Sequence, residues 1–580
     1  MGQAGSKDEW KPSRKPCQED DIPHPKQVKT DDGSYVWIVE DMDLLMRFVF
    51  LGSDTAYSAS NKHPQRKYAE CIDRLIADGR GEDVVRLISK ISHCGWAPRQ
   101  NYLIFALAVC ARSNDIETKK LAYDDLYKIC RTPTHFFLFV HYCKEESGSS
   151  KGWGRAHKRA VLKWYEEKSR NPEGLARLLT KYKARKVATN GDGKAERWSH
   201  RDIFRLAHPS PSDDLMKLVM HFVLNGFRKA KELASTKLGN TERVTKFLTY
   251  TEGTTKAKQC ADPNDMVDLI KRYRLEREHI PTQMLNSKSV CEALIQNMRP
   301  EAKIRNIGML SAKGFCGENS DIEKEIVETL TNAKNLHDAR VHPLKVLSAL
   351  LTYEKGKSTK GELVWTVNNN IVKALNEAYY LSFDVLLPTK KRFLLAVNVS
   401  DKMKDPCEGC PAVKCHQAAA AMMMMTVRTE TKCKIFGFSE TLSRIRIAKT
   451  DSLSEIEEKM DLLQGGKADS ALPMMWAKEN KKKIDVFIVY TDNLRTKGQV
   501  HPSKALKDYR KEMNIPEAKL VVVAMTPNNH TDADPEETVV TAVEKLSTEE
   551  PERPDYGAIN IVGFDANAAI LIAKFIRGEI

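Results

Sequence analysis

The sequence predicts two architectures in one chain: a stacked array of short helix pairs, then a doubly wound α/β domain. Two observations carry this. From "SYVWIVEDMDLLMRFVFLG" to about residue 385, apolar residues recur at three- and four-residue spacing, the period of an amphipathic helix. After residue 385, near-continuous apolar runs of strand length alternate with amphipathic segments, the pattern of a mostly parallel sheet covered on both faces. Length agrees, because 580 residues are too many for one hydrophobic core.

Residues 1–30 are polar and proline-dotted, without a hydrophobic period, and are expected to be a disordered tail. The repeating helical unit is plainest in "YAECIDRLIADGRGEDVVRLISKISHCG" (68–95): a helix, a break at Gly79 and Gly81, and a second helix. "NYLIFALAVCARS", "TKKLAYDDLYKICR" and "PTHFFLFVHYCK" continue it, and succession without a strict sequence period suggests a helical array. Beyond residue 385 the strands are expected in "RFLLAVNV", "CKIFGFS", "DVFIVYTD", "KLVVVAMT" and "AINIVGF", with helices over 411–428, 453–464, 470–479, 502–512 and 566–577. Ligands of such folds sit at the carboxyl ends of the strands. Asn398–Lys402 and Asp492 lie at two of these ends. The run "AMMMMTVRTE" reads as core filler on the first helix of this domain.

Composition excludes several classes. Forty-one per cent hydrophobic and 29% charged residues make an ordinary globular chain. Thirteen scattered cysteines in a long chain indicate reduced thiols rather than a disulfide framework. No apolar stretch reaches the length of a membrane span, and the N-terminus lacks the apolar core of a secretory signal. A soluble protein of the cytoplasm or nucleus is expected, with no integral membrane segment.

Charge is informative. The chain carries net +14, and residues 151–208 hold 16 Lys and Arg against 6 Asp and Glu, a net +10. In "WGRAHKRAVLKWYEEK", Arg155, Arg159 and Lys163 fall at i, i+4 and i+8, roughly opposite Trp153, Ala160, Val161 and Trp164, so the basic stripe should face solvent. Next come Lys181, Lys183, Arg185 and Lys186 in "LLTKYKARK", and Arg197, His200, Arg201, Arg205 and His208 in "RWSHRDIFRLAH". Such an excess is self-repelling without an anionic partner, and interleaved aromatics suit a surface that pairs phosphates and stacks bases. Neither zinc-finger spacing nor a basic heptad zipper points to duplex DNA.

The segments "DGSYVWIVEDMDLLMRFVFLG", "DGRGEDVV", "ICRTPTHFFLF", "WGRAHKRAVLKWY", "TKYKAR…WSHRDIFRLAH", "ARVHPLKVLSALLTY", "KRFLLAV", "DVFIVYTDN" and "VHPSKALKDYRKEM" resemble, in order, the Ro ribonucleoprotein (SS-A/Ro autoantigen) family. The resemblance implies a TROVE domain over 31–388, a HEAT-like helical solenoid closed into a ring, and a von Willebrand factor A-like domain over 389–580. It implies a nonenzymatic, monomeric RNA-binding protein of a small ribonucleoprotein. Y RNAs would bind the outer basic face, and 3′ ends of misfolded noncoding RNAs would enter the ring hole, in RNA quality control. The family's Y RNA contacts fall on Lys181, Arg185 and His208; Arg155, Arg159, Lys163, Lys183 and Arg201 join them from the basic cluster. The insertion "KVATNGDGKAE" (186–196) departs from the family and bears on RNA preference. A protein-interaction scaffold whose A-like domain binds an acidic partner is the alternative. A nuclease is disfavoured, since no His/Glu or multi-Asp constellation is visible.

Family A-like domains carry Asp-x-Ser-x-Ser at one strand end, a later threonine and a further aspartate. Here those positions read Asn398, Ser400, Lys402, Lys467 and Asp492. A hard cation such as Mg²⁺ wants oxygen ligands and carboxylates, so the metal site is expected to be degenerate, with Lys402 and Lys467 facing Asp492 in place of the ion. No other cofactor is expected. "CEGCPAVKCH" offers Cys407, Cys410, Cys415 and His416, but adjacent Cys415 and His416 poorly share one tetrahedral zinc. "MGQAGSK" fits Met-Gly-x-x-x-Ser, making Gly2 a candidate for N-myristoylation, with marginal membrane association if acylated.

Overall fold

The structure, a computed structural model, describes residues 9–10, 27–29, 35–37, 40–53, 56–59, 63–148, 152–189, 195–211, 213–239, 241–359, 361–407, 410–463, 465–492, 500, 502–526 and 557–580. It forms two compact units. One comprises residues 63–299 and 315–325; the other comprises 1–62, 300–314 and 326–580.

The first unit is a succession of helix pairs. Helices Glu70–Ala77 and Gly81–Cys94 form the unit read from "YAECIDRLIADGRGEDVVRLISKISHCG". Gly79 turns the chain at φ 74°, a conformation that costs a side chain but not glycine. Gly81 opens the second helix where a Cβ would strike the Thr118 hydroxyl. Helices Gln100–Arg112, Ile116–Ile129 and Pro133–Ser147 follow. Asp115 caps the second by accepting from Thr118 N at 2.8 Å, and Thr132 with Pro133 opens the third. The apolar faces meet in an aromatic core: Trp164 stacks on Phe136 at 4.4 Å between centroids, with Tyr165 and Phe204 packed beside them.

The second unit is built around an eight-stranded sheet. Its order is Glu9–Trp10, Leu442–Arg444, Lys432–Phe438, Arg392–Asn398, Val486–Thr491, Lys519–Ala524, Ala558–Val562 and Ala56–Ser58. The last six are mutually parallel. Strands Arg392–Asn398 and Val486–Thr491 lie centrally and are almost wholly buried, which explains their unbroken apolar runs. Helices Cys415–Thr429, Leu453–Asp461, Leu472–Glu479, Pro502–Met513 and Ala566–Arg577 occupy the expected segments. The first starts four residues later than expected, because Cys410–Lys414 pairs with Pro406–Cys407 as a small hairpin. Met422, Met423, Met424 and Met425 are all buried in it, and Tyr379 Oη donates to Met424 Sδ.

Two strands come from outside the expected α/β segment. Ala56–Ser58 pairs parallel with Ala558–Val562, and Tyr57 Oη donates to Asp565 at 2.7 Å. Within the stretch expected to be a disordered tail, Glu9–Trp10 pairs with the 442–444 strand and Gln27–Lys29 with Tyr35–Trp37. Backbone pairing needs no apolar period, so sequence patterning does not reveal it. Gly2 and residues 190–194 of the insertion lie outside the described residues.

Candidate nucleic-acid interface

The basic segments are held by three helices and a pair of strands of the first unit. Helix Arg155–Lys168 buries His157, Ala160, Val161, Trp164 and Tyr165, so Arg155 and Arg159 are exposed on its other side, as the spacing predicts. Neither makes an ion pair among the described residues. Lys163 differs: Asp124 neutralises it at 2.7 Å. Helix Pro172–Lys181 ends at Lys181, and the chain turns through Tyr182 and Lys183 into strand Ala184–Thr189. That strand pairs with Ala195–Ser199, so the described residues of the insertion lie at the ends of two paired strands. The insertion's last residue, Glu196, binds Lys144 at 2.9 Å.

The positions matched to family contacts are not equivalent. Lys181 is ion-paired to Glu276, with Glu278 at 3.7 Å. Glu276 also holds Arg177 at 3.4 Å. Arg185 is half-buried beside Tyr142 and His135, and makes no ion pair among the described residues. Burial draws its guanidinium below the usual value, with the Tyr142 phenol opposing. Beneath it, burial and the Arg131 and Arg185 charges push His135 down to about 4, so that imidazole is neutral. His208 ends helix His200–Ala207 in a left-handed conformation at φ 51°, which exposes its ring. Arg201 donates to the Leu224 carbonyl, which ties it to the end of helix Asp214–Asn225. Lys183 is exposed, and burial together with the Lys183 charge draws Lys258 of helix Glu242–Gln259 down to about 8. Lys258 lies 50 residues beyond the basic window, and no charge run marks it.

The aromatics do not form a base-stacking surface. Trp164, Tyr165, Trp198 and Phe204 are buried. Trp153 stacks on Trp198 at 6.1 Å, and Trp164 donates its indole N–H to the Cys130 carbonyl. Tyr182 is half-buried under the Lys181 ammonium. The expectation of interleaved stacking is thereby corrected: Trp164, Tyr165 and Phe204 lie on the apolar faces of their helices, and Trp198 is buried in its strand. What faces solvent is charge.

The strand ends of the second unit form a different site. Asn398 is fully buried, and its Oδ1 accepts from Ser400 N at 2.9 Å while its Nδ2 donates to Asp492 Oδ1 at 2.8 Å. The backbone N–H of Ser400 fixes which end of the amide is oxygen. Thr491 Oγ1 donates to the same Asp492 oxygen at 3.3 Å. Lys402 and Lys467 are exposed, and neither makes an ion pair among the described residues. Their expected approach to Asp492 is therefore corrected. An amide already inside the cleft satisfies the carboxylate without desolvating an ammonium. These residues do not fit a divalent cation: one position aims a donor N–H₂ at the remaining carboxylate, and its own oxygen is occupied.

In the cysteine loop, Cys407 and Cys410 are register partners in the small hairpin, and Cys407 hydrogen-bonds to Cys415, which raises its pKa. His416 turns instead to the Met403 carbonyl at 3.1 Å and to Glu457 at 3.7 Å. Among the described residues no group of three His, Cys, Asp or Glu side chains has the geometry to hold a metal ion.

Fold and site together define a class: a helical array with an anion-receptive face, in a chain that also carries an A-like α/β domain. Residues 28–351 match the TROVE domain and residues 392–552 match the Ro60 vWA domain. The chain belongs to the Ro ribonucleoprotein (RO60) family. It is 32% identical over 615 residues to a Caenorhabditis elegans protein named RNA-binding protein RO60, covering 96% of this chain and 90% of that protein. A Deinococcus radiodurans protein of the same name is 31% identical over 560 residues, covering 96% of both. The crystal structure of Deinococcus radiodurans RO (RSR) protein superposes with a TM-score of 0.78 at 30% identity, covering 93% of this chain and all of that one. Among the described residues no helix is long and apolar enough to cross a membrane.

Proposed function

We propose that this chain is a nonenzymatic RNA-binding protein that holds structured small noncoding RNA, of the Y RNA kind, by its phosphate backbone. The observation that carries this reading is the half-buried Arg185 guanidinium, without an ion pair among the described residues, in a segment of net +10. Arg155, Arg159, Lys183 and His208 extend the face, and Lys181 joins it when an RNA phosphate displaces Glu276. Because the aromatics point inward, the face suits the shape and backbone of a stem more than splayed bases.

Two expectations travel with this reading. Single-stranded 3′ ends of misfolded noncoding RNAs enter the hole of the ring that the resemblance implies, giving a role in RNA quality control. The A-like domain serves as a platform for protein partners, its strand-end cleft closed by Asn398 rather than gated by an ion. Relatives that carry the name RNA-binding protein RO60 favour the same class. Crosslinking the protein to cellular RNA, followed by sequencing of the RNA and mass spectrometry of the peptide, tests it. The expected result is small structured RNAs, recovered intact and attached within residues 151–208. Cleaved RNA, or attachment confined to the A-like domain, would contradict it.

A further inference from the structure

Two thiols of the second unit face each other across the small hairpin, and one of them is open to a cavity. Cys407 and Cys410 are Cα partners in the antiparallel pair of Pro406–Cys407 with Cys410–Lys414. Directly opposed residues of such a pair put their side chains on one face, with Cα atoms about 4.5–5.5 Å apart, and a disulfide needs about 4.4–6.8 Å. Both cysteines are reduced and both are buried. A cavity of about 660 Å³ reaches one of the two. Ile304, Leu344, Trp365 and Phe564 wall it, and Cys410 lines it where Cys407 does not. Cys410 is correspondingly the more exposed, 8% against 2%. Its sulfur shares a hydrogen bond at 3.1 Å with Ser348 Oγ of helix Pro343–Glu354. Lys355, which ends that helix, donates to the Ala412 carbonyl at 2.7 Å. Ser348 falls in the segment that matches the TROVE domain, and Cys410 in the segment that matches the Ro60 vWA domain. Buried cysteines commonly serve as small apolar side chains. A pair in disulfide register, with a way in to one sulfur, is more than packing requires.

We propose that Cys407 and Cys410 are a reversible oxidation site: a small peroxide entering the cavity oxidises Cys410, Cys407 closes the disulfide, and the tie between the hairpin and helix Pro343–Glu354 follows the redox state. Cys410 sulfur, as thiolate, attacks one peroxide oxygen and the O–O bond breaks. That leaves a sulfenic acid and a hydroxide, which takes up the proton Cys410 released. Cys407 sulfur then attacks Cys410 sulfur, and the second oxygen leaves as hydroxide, taking the Cys407 proton. Two thiols have lost two electrons and two protons, and the peroxide has become two waters. The order of events follows from the surroundings. A hydrogen bond to Cys415 and burial hold the Cys407 thiol well above its ordinary value, so it stays protonated and enters second. In the disulfide, Cys410 sulfur turns to Cys407 and gives up Ser348. One of the two ties from the helix to the hairpin is then gone, and a small thiol reductant restores it.

The test uses the full chain, treated with hydrogen peroxide, alkylated and digested with trypsin. Cys407 and Cys410 share the tryptic peptide 405–414, and Cys415 begins the next. The expected product is peptide 405–414 lighter by two hydrogens, closed to alkylation and restored by dithiothreitol. Hydrogen exchange in helix Pro343–Glu354 should quicken on oxidation and recover on reduction. Ala349 also lines the cavity, and Ala349→Trp should slow disulfide formation several-fold by filling it. A sulfinic or sulfonic acid on Cys410 beside an alkylatable Cys407 would overturn the proposal. So would a link joining peptide 405–414 to the Cys415 peptide, or both thiols intact once the exposed Cys94 is fully oxidised. A disulfide that leaves exchange in the helix unchanged would overturn the coupling. Disulfide formation in Ala349→Trp at the unmodified rate would overturn the route.

Discussion

Two polar sites in this molecule handle charge in opposite ways. At the strand ends of the A-like domain, one carboxylate, Asp492, is matched by the amide of Asn398, the Thr491 hydroxyl and a tight turn that brings Ser400 N–H to the amide oxygen. The local demand is met from within. On the helical unit, Arg185 sits half-buried without an ion pair among the described residues, and Arg155, Arg159 and Lys183 stand exposed without one there. There the demand is left for something outside. A closed network of hydrogen bonds favours a fixed structure, whereas uncompensated charge held on a rigid scaffold favours a ligand of opposite sign. The difference separates a site whose charge is satisfied from within from one whose charge is left open to solvent.

Acid should strain the two units unequally. Burial holds His157 and His200 at about 3, and His135 and His279 at about 4, all in the helical unit. Their folded values lie below the unfolded value near 6.5, so their contribution is fully present above pH 6.5 and is lost as pH falls toward 4. Each contributes a slope of up to about 1.4 kcal/mol per pH unit in that window. Among the described residues of the other unit, His342 is held at about 4 in the same way. That unit also has His416, raised by its hydrogen bond to Glu457, whose contribution is present below the unfolded value and lost as pH rises through the folded one. Denaturant unfolding at pH 7 and pH 5 should show the helical transition moving further. Equal shifts would remove this distinction.

The closed cleft can be broken from inside. Asn398→Asp sets a second carboxylate beside Asp492 in a fully buried position and should cost about 3–5 kcal/mol at neutral pH. The denaturation midpoint of the A-like unit measures it. Adding Lys402→Ser and Lys467→Thr should turn that loss into magnesium-dependent stability, about 2.7 kcal/mol at a hundredfold excess over Kd. A neutral Asn398→Asp would mean that the amide does not seal the cleft.

Much of this was legible beforehand and some was not, for physical reasons. The five apolar strands and their helices announce themselves because a strand buried on both faces must be apolar along its length. Ala56–Ser58 does not, since three residues at a parallel edge carry no period and their partner lies some 500 residues away. The basic face was visible as a run of charges, but its wiring was not. Glu276, which neutralises Lys181, lies 95 residues downstream, and Lys258 stands outside the run. The tryptophans show why composition misleads. "WGRAHKRAVLKWY" interleaves rings and cations in sequence, yet helical geometry puts them on opposite faces.

The smallest expected effect sharpens the comparison on the basic side alone. Glu276→Gln releases Lys181 from its internal partner and should tighten RNA binding about two- to fivefold, with stability changed by less than about 1 kcal/mol. Weaker binding would show that Glu276 positions Lys181 rather than competing for it.

The central claim is that the face around Arg185 is left uncompensated so that RNA phosphates can complete it. Affinity for a structured small RNA, measured between 50 and 200 mM salt in the unmodified protein and in Lys181→Ala/Arg185→Ala, tests this most directly. The account predicts a steep negative log–log slope for the unmodified protein. In the variant it predicts a loss of about 1–3 kcal/mol, a slope shallower by about one to two, and little change in thermal stability. Unchanged affinity and slope in a folded variant would place RNA binding elsewhere and contradict the account.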